Sequence, residues 1–193
     1  DTSGGSYFYL DHLGRAVVAT ADRRLLIIKQ VVSTDGPRFE LDEEFSLLLH
    51  VPSDCPRRPD RAAAAPHCDK VTTALPDRNG LIWFVTQKGR VGAINPNTRA
   101  IRSIRLPNAR IQNSFAVADD GVYIVSDHAL YRMRASQRGT PQIVWRQAYD
   151  RGTTHKEGQV GQGSGTTPTL IDSRYVAIAD NADSRVNAVV YRR

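Results

Sequence analysis

The sequence lacks both long hydrophobic runs and the periodicity that is typical of helices. Its longest apolar stretches are strand-sized, such as residues 81–85, whereas a membrane-spanning helix needs about 20 apolar residues. Helix-like spacing is confined to residues 42–48 and 61–65, and the first of these stretches also fits a strand. These absences predict no transmembrane segment and favour an all-β fold.

A continuous basic stripe is also missing, although the chain carries a net charge of +6. Lys and Arg residues are scattered through predicted turns and strand ends, and only residues 56–61 are locally dense in arginine. Surfaces that bind nucleic acid usually combine clustered basic residues with aromatic side chains on one strand face. That combination is absent, so we expect no nucleic-acid partner.

Cysteine is scarce, and the two that occur, Cys55 and Cys68, flank a loop rich in proline and alanine. A disulfide between them would stabilise the fold by about 3 kcal/mol in the simple entropy model. It would also indicate an extracytoplasmic protein, secreted or in the cell envelope. Two free thiols are an alternative, as is a zinc site with His67, which would lack a second ligand pair. The first residue, Asp1, fits a mature chain after signal removal or an excised segment.

The chain is rich in one feature, a β-hairpin that recurs four times and is preceded each time by a shorter strand and a turn with Asp or Gly. The two strands of the hairpin are predicted at residues 16–20 and 25–28, 82–86 and 91–94, 122–126 and 129–133, and 175–179 and 187–191. Such strand and turn signals indicate consecutive antiparallel strands. Thr86 and Ser126 occupy equivalent positions 40 residues apart, and this is the period of a four-stranded β-propeller blade. A β-sandwich would share the short strands but would not repeat its turn chemistry at a fixed period. We therefore predict a β-propeller.

The four units form a single partial propeller domain over residues 1–193. Predicted blades cover roughly residues 5–50, 69–107, 112–148 and 164–193, with the cysteine loop at 51–68. The last unit has no outer strand, and four units do not comfortably close a ring. Because an open terminal blade exposes unpaired strand edges, we expect further blades from the parent chain or from another chain.

Blade geometry predicts where polar residues meet. The loop that leads into each first strand and the loop between the second and third strands share one face, so they form a common rim. The candidate ligand-binding residues on this rim are Asn113, Ser114, His155, Thr166 and Thr167. Asp127 and His128 place a carboxylate beside an imidazole and are candidate catalytic residues for general-base chemistry; the alternative is a solvated turn histidine.

A cluster of hard oxygen ligands lies in the last of these loops. Asp180, Asn181 and Asp183 supply two carboxylates and an amide within four residues, and calcium prefers such ligands. Asp and Asn also stabilise tight turns by bonding their own backbone. The cluster is therefore a candidate calcium site, with turn formation as the alternative.

Several stretches resemble a known group of proteins. The segments GSYFYLD (5–11), NSFAV (113–117), VSDHALY (125–131), GSGTTPTL (163–170) and DNAD (180–183) are similar to exported actinobacterial propeller proteins with quinoprotein-like repeats. More distantly, the arrangement resembles calcium-dependent lactonases of the gluconolactonase and paraoxonase type. Ser184 and Glu157 stand where these relatives usually have proline, and no lactonase-type glutamate or quinone-docking tryptophan pattern is visible.

The leading functional hypothesis is an exported scaffold that binds a small molecule, a glycan or a protein through this rim. The resemblance to lactonases implies an alternative, a calcium-dependent hydrolase acting on lactones or esters. The quinoprotein-like repeats imply a third possibility, a quinone-dependent oxidoreductase. Calcium dependence separates the first two hypotheses.

Overall fold

The structure, a computed structural model, describes residues 7–52, 69–157, 159 and 161–193. Cys55, His67 and Cys68, and with them the predicted disulfide, lie outside these residues. The described chain forms three four-stranded sheets and one three-stranded sheet, each with its strands in chain order and antiparallel. The all-β prediction is confirmed, and we call the sheets blades 1 to 4.

Each blade is a meander in which every strand pairs with the next one along the chain. Blade 1 contains β1 (Phe8–Leu10), β2 (Ala16–Ala19), β3 (Arg24–Ser33) and β4 (Gly36–Ser46). Blade 2 contains β5 (Val71–Pro76), β6 (Ile82–Thr86), β7 (Arg90–Ile94) and β8 (Ile101–Arg105). Residues 42–46, whose spacing fitted either a helix or a strand, are part of β4.

The last two blades follow the same order. Blade 3 contains β9 (Ala116–Ala118), β10 (Gly121–Val125), β11 (Ala129–Ala135) and β12 (Pro141–Ala148). Blade 4 contains β13 (Thr169–Ile171), β14 (Tyr175–Ala179) and β15 (Ala188–Arg192). As predicted, the fourth blade has no outer strand within the part of the chain that the structure describes.

Aspartates close the turns between first and second strands. Oδ1 of Asp11 accepts the backbone N–H groups of Leu13 and Arg15, both at 2.9 Å, and Asp77 makes the equivalent pair of bonds in blade 2. These side chains replace backbone partners that a tight turn cannot supply. In blades 1 and 2 this aspartate is therefore a folding signal that fixes where the chain turns back.

A second polar position closes the turns between second and third strands. The hydroxyls of Thr20, Thr86 and Ser126 accept a backbone N–H from the far side of their turn at 3.0–3.1 Å. Asp180 occupies the same position in blade 4, where its Oδ1 accepts the backbone N–H of Asn187 at 2.7 Å. This repeated bond anchors the four loops to their blades.

Apolar side chains hold neighbouring blades together, in three clusters that lie between blades 1 and 2, 2 and 3, and 3 and 4. Strand β6 is buried on both faces because Phe84 belongs to the first cluster and Trp83 to the second. Gly92 is paired with Phe84 across the sheet. A Cβ at Gly92 would lie 2.1 Å from Cζ of the Phe84 ring. The absence of a side chain at Gly92 therefore allows the ring to pack directly on the backbone of β7.

The outward faces of the first and last blades remain open. Phe8 and Leu10 on β1 are 67% and 64% exposed, and Phe39 on β4 is 75% exposed. In blade 4, Ile171 and Val190 are also exposed. These positions contrast with β6, whose two faces are both covered.

The loops lie on two rims. We call upper rim the face that carries the loops into each first strand and the loops between second and third strands, and lower rim the opposite face. No helix in the described ranges is long and apolar enough to cross a membrane.

Candidate functional site

A small cleft opens on the upper rim where the loop into blade 3 meets the loops of blades 3 and 4. We call it the upper cleft; its walls include Asn113, Ser126, Asp127, Gln162, Gly163 and Ser164. Its cavity measures about 10 Å³, which is about the space that one water molecule needs. The predicted gathering of Asn113 and Asp127 on one rim is thus observed, but around a shallow site.

Asp127 is the charged centre of the cleft. Its Oδ1 accepts the backbone N–H of Arg110 at 2.8 Å and lies 2.8 Å from Nδ1 of His128. The contact with His128 does not have hydrogen-bond geometry, so the buried Nδ1 has no hydrogen-bond partner among the described residues. The two predicted catalytic residues are therefore in direct side-chain contact.

The hydroxyls that line the same cleft are bonded elsewhere. Ser126 donates to the carbonyl of Ala129, and Ser164 shares a 2.6 Å hydrogen bond with Thr166. Within the described ranges, neither hydroxyl is bonded to the imidazole of His128. Among the described residues of the cleft, no hydroxyl therefore lies bonded to this imidazole as a nucleophile is to its base in a hydrolytic site.

Arg151 places its positively charged guanidinium group beside Asp127. Its Nη2 lies 3.7 Å from Oδ2 of Asp127 and donates to Oε1 of Gln162 at 3.2 Å. Its Nε is buried and has no hydrogen-bond partner in the described structure. Together with Nδ1 of His128, this leaves two buried nitrogens beside one carboxylate without a hydrogen bond.

Tyr149 ties the cleft walls together. Its hydroxyl donates to the carbonyl of Ser126 and accepts the backbone N–H of Ser164 at 2.8 Å. Burial raises the pKa of Tyr149 to about 12, so the hydroxyl keeps its proton, and with it the donated bond, at neutral pH. One phenol thus joins a blade 3 turn to the loop that leads into blade 4.

Gly163 allows the loop that leads into blade 4 to pack closely against the backbone of Asp127. Its φ of +129° lies in a region that side chains rarely adopt, and a Cβ there would lie 2.7 Å from Cα of Asp127 and 2.9 Å from the Tyr149 hydroxyl. Only glycine fits such a backbone contact without displacement. The loop that leads into blade 4 is therefore packed against the candidate site at this residue.

The other predicted ligand-binding residues are spread over the rim. The side chain of Asn113 lines the cleft and, like that of half-buried Ser114, makes no hydrogen bond to another described residue. Thr166 accepts the backbone N–H of Ala179 at 3.1 Å and so anchors its own loop. His155 and Thr167 are exposed and do not line the cleft.

The predicted calcium ligands make internal hydrogen bonds. Asp180 is buried and accepts from the backbone of Ala182 and from the backbone and side chain of Asn187. Both oxygens of Asp183 accept from Thr153 at 2.8–3.0 Å. Burial opposes ionisation of Asp180, but the bonds from Asn187 and Ala182 lower its pKa, and the bonds from Thr153 lower the pKa of Asp183.

Asn181 fixes the long loop between blades 3 and 4. Its amide donates to the carbonyl of Arg151 at 2.8 Å, and its oxygen accepts from the side chain of Gln159. Lys156 donates to the carbonyl of Ala182. Over the residues described, no group of three or more His, Cys, Asp or Glu side chains is placed to hold a metal ion. The calcium site stays a hypothesis, which would require these bonds to be exchanged for metal ligands.

Sequence reasoning missed the residues that assemble the cleft. Tyr149, Arg151, Gln159 and Gln162 all come from the stretch between blades 3 and 4, which has no strand periodicity. Gly163 was the available signal, because a glycine between polar residues often marks a close backbone approach.

Comparisons with known proteins are consistent with this fold. No protein-family profile matches the sequence. An uncharacterised protein of Archaeoglobus fulgidus is 36% identical over 112 residues, which cover 53% of this chain and 22% of that protein. The chain thus spans about a fifth of the length of this relative.

Solved structures match most of the chain. The β-propeller domain of Cps50 (Swd1) from Myceliophteria thermophila has a TM-score of 0.57 at 12% identity, covering 93% of this chain and 53% of that domain. A protein from Lactobacillus plantarum has a TM-score of 0.59 at 9% identity, covering 96% of this chain and 56% of that one. This chain therefore spans little more than half of each neighbour. At such identities the likeness shows the fold alone: the chain has the β-propeller fold.

Proposed function

We propose that this chain belongs to a propeller scaffold that binds a partner across the upper rim, where blades 3 and 4 meet. The observation that carries the proposal is a pair of accessible arginines beside one carboxylate: Arg110, which is exposed and lines the upper cleft, and Arg151, whose side chain is 41% exposed and lies 3.7 Å from Asp127. Two guanidinium groups around a single carboxylate leave this part of the rim with excess positive charge. A partner that supplies acceptor oxygens would form charge-assisted hydrogen bonds with them, which makes the rim a favourable place to bind.

The shape of the site favours a macromolecule over a small molecule. Small-molecule pockets usually enclose about 300–1,000 Å³, whereas the upper cleft measures about 10 Å³. A shallow surface of this kind suits a protein or a glycan chain that lies across several loops. Because Arg110 is exposed and has no ion pair within the described ranges, we propose a protein partner that presents carboxylates or backbone carbonyls.

The open faces of blades 1 and 4 support the proposal that further blades complete the propeller. Exposed Phe8 and Leu10 on one side, and Ile171 and Val190 on the other, occupy positions that neighbouring blades cover elsewhere. Such a ring would place the upper rim on a rigid scaffold. We further propose that the protein is exported, because Cys55 and Cys68 are spaced for a disulfide.

A quantitative capture experiment tests the binding proposal. The tagged protein, the variant Arg110→Gln/Arg151→Gln and the lower-rim control Arg38→Gln, which removes an exposed arginine of blade 1, would each be incubated with a native extract of envelope and secreted proteins. We expect a partner that the wild type and the control retain and that the double variant loses, measured by mass spectrometry and confirmed with the purified partner. Equal retention by all three proteins would refute the proposal.

The calcium-dependent hydrolase is the rival function, favoured by the adjacency of Asp127, His128 and the loop of Asp180 on one rim. It predicts hydrolysis of an aryl ester or lactone that requires calcium and is abolished by Asp180→Ala. The internal bonds of Asp180 and Asp183 weigh against it, since those oxygens already have partners. Calcium-dependent turnover would replace the scaffold proposal by this one.

A further inference from the structure

Two ligand-sized depressions lie on the lower rim, between blades 2 and 3. The inner one measures about 430 Å³ and the outer one about 370 Å³, and they meet at Asn79. Both volumes fall in the range of small-molecule sites, unlike the upper cleft. We call the outer depression the lower trough; it is lined by residues that include Leu81, Ala93, Ala100, Arg102, Ser136 and Arg138.

The lower trough carries uncompensated positive charge. Its lining contains two arginines, Arg102 and Arg138, and no aspartate or glutamate. Arg102 donates to the carbonyl of its neighbour Ile101 at 3.1 Å, and Arg138 makes no hydrogen bond or ion pair within the described ranges. Two guanidinium groups without carboxylate partners on one cavity wall favour an anion.

The inner depression differs, because three aspartates, Asp77, Asp119 and Asp120, line it beside two arginines, Arg78 and Arg134. Oδ2 of Asp77 accepts the indole N–H of Trp83 at 2.8 Å, and Asp119 forms a 2.6 Å ion pair with Arg78. Of the two depressions, only the lower trough therefore carries an excess of positive charge.

We propose that the lower trough binds a small organic anion, a carboxylate or phosphate ester carried on a sugar-sized body. The guanidinium group of an arginine binds a carboxylate or a phosphate through two parallel N–H donors. Leu81, Ala93 and Ala100 supply an apolar surface for the body of the ligand, and Asn95, Thr98 and Ser136 supply hydrogen-bonding groups. This site lies on the face opposite the upper rim, so it is independent of the partner-binding proposal.

Titrations followed by ¹⁵N–¹H NMR test the site with glucose 6-phosphate and glucuronate as anionic probes and glucose as the neutral one. We expect saturable shifts at residues around Arg102 and Arg138 with at least one anionic probe. The variant Arg102→Gln/Arg138→Gln should weaken that binding about tenfold or more, because charge-assisted bonds are lost. Arg105→Gln removes an exposed arginine from the other end of β8 and should leave the affinity unchanged.

Each outcome of these titrations either supports the proposed anion site or overturns it. Binding of glucose 6-phosphate alone or glucuronate alone supports the proposal and identifies the anionic group. No saturable shift with either anion, equal affinity for glucose, or equal weakening by the control and the double variant overturns it. Inorganic phosphate that binds as tightly as glucose 6-phosphate would also overturn it, since the body of the ligand would then contribute nothing.

Discussion

Replacing Tyr149 by phenylalanine removes one hydroxyl that serves two loops. In the native protein this hydroxyl donates to the carbonyl of Ser126 and accepts from the N–H of Ser164. Both serines are buried, at 3% and 9% exposure, so neither backbone group gains an easy substitute in water. The phenyl ring fills nearly the same space, and the change therefore isolates the two hydrogen bonds.

Each backbone group left without its partner costs about 1–3 kcal/mol, so we expect Tyr149→Phe, which leaves two such groups, to lower the free energy of unfolding by about 2–6 kcal/mol. For a protein of this size, 1 kcal/mol corresponds to about 2–4 °C in Tm. Urea unfolding followed by circular dichroism gives the free energy, and a thermal scan gives the shift in Tm.

Tyr175→Phe is the matched control, because Tyr175 is 36% exposed and its hydroxyl makes no hydrogen bond to a described residue. We expect this variant to stay within about 0.5 kcal/mol of the wild type, as is usual for surface changes. If Tyr149→Phe is as stable as this control, the phenol does not tie the cleft walls together, and the assembly of the upper cleft described above is wrong.

Three further changes test other parts of the same rim. Gly163→Ala should destabilise the protein by about 1–3 kcal/mol through backbone strain and the contact with Asp127, whereas Gly165→Ala, which has open space around its Cβ site, should cost less in the same urea assay. Adding 1 mM calcium should leave Tm unchanged if the bonds of Asp180 and Asp183 persist; a rise of several degrees that Asp180→Asn removes would favour the hydrolase. Finally, the unfolded chain loses the Tyr149 proton near pH 10 and the folded protein near 12, so folding retains a proton in that window and stability should fall as pH rises through it. Tyr149→Phe should show a smaller fall, measured by urea unfolding at several pH values.

The strands buried on both faces, or paired on both edges, were the easiest to predict. Strands β6 (Ile82–Thr86) and β14 (Tyr175–Ala179) coincide with the predicted segments residue for residue. The third strand of blade 1 was predicted to end at Ile28, yet β3 continues to Ser33. The extension pairs polar with apolar residues outside the core, such as Gln30 with Phe39 and Val31 with Arg38, and the other blades contain no counterpart that could indicate it.

The candidate site was predictable only to the level of the rim. Blade geometry places the loops of Asn113 and Asp127 on one face, and this depends on strand order alone. The contacts of the loop between blades 3 and 4 depend instead on side chains that bond backbone far away along the chain, such as Thr153 with Asp183 across 30 residues. No period or local motif encodes such pairs, so the roles of Tyr149 and Arg151 could not be predicted from the sequence.

The role of Asp180 follows from the length of the loop that it closes. In blades 1 and 2 a threonine hydroxyl reaches an N–H four residues on, and in blade 3 a serine reaches three residues on. In blade 4 the corresponding bond spans seven residues, and a second oxygen is used to hold the side chain of Asn187 at 2.8 Å. A hydroxyl offers one oxygen, whereas a carboxylate offers two separated acceptors. The longest of the four loops between second and third strands is thus closed by an aspartate, where the shorter ones are closed by a hydroxyl, and these bonds give the carboxylate of Asp180 a role in the turn.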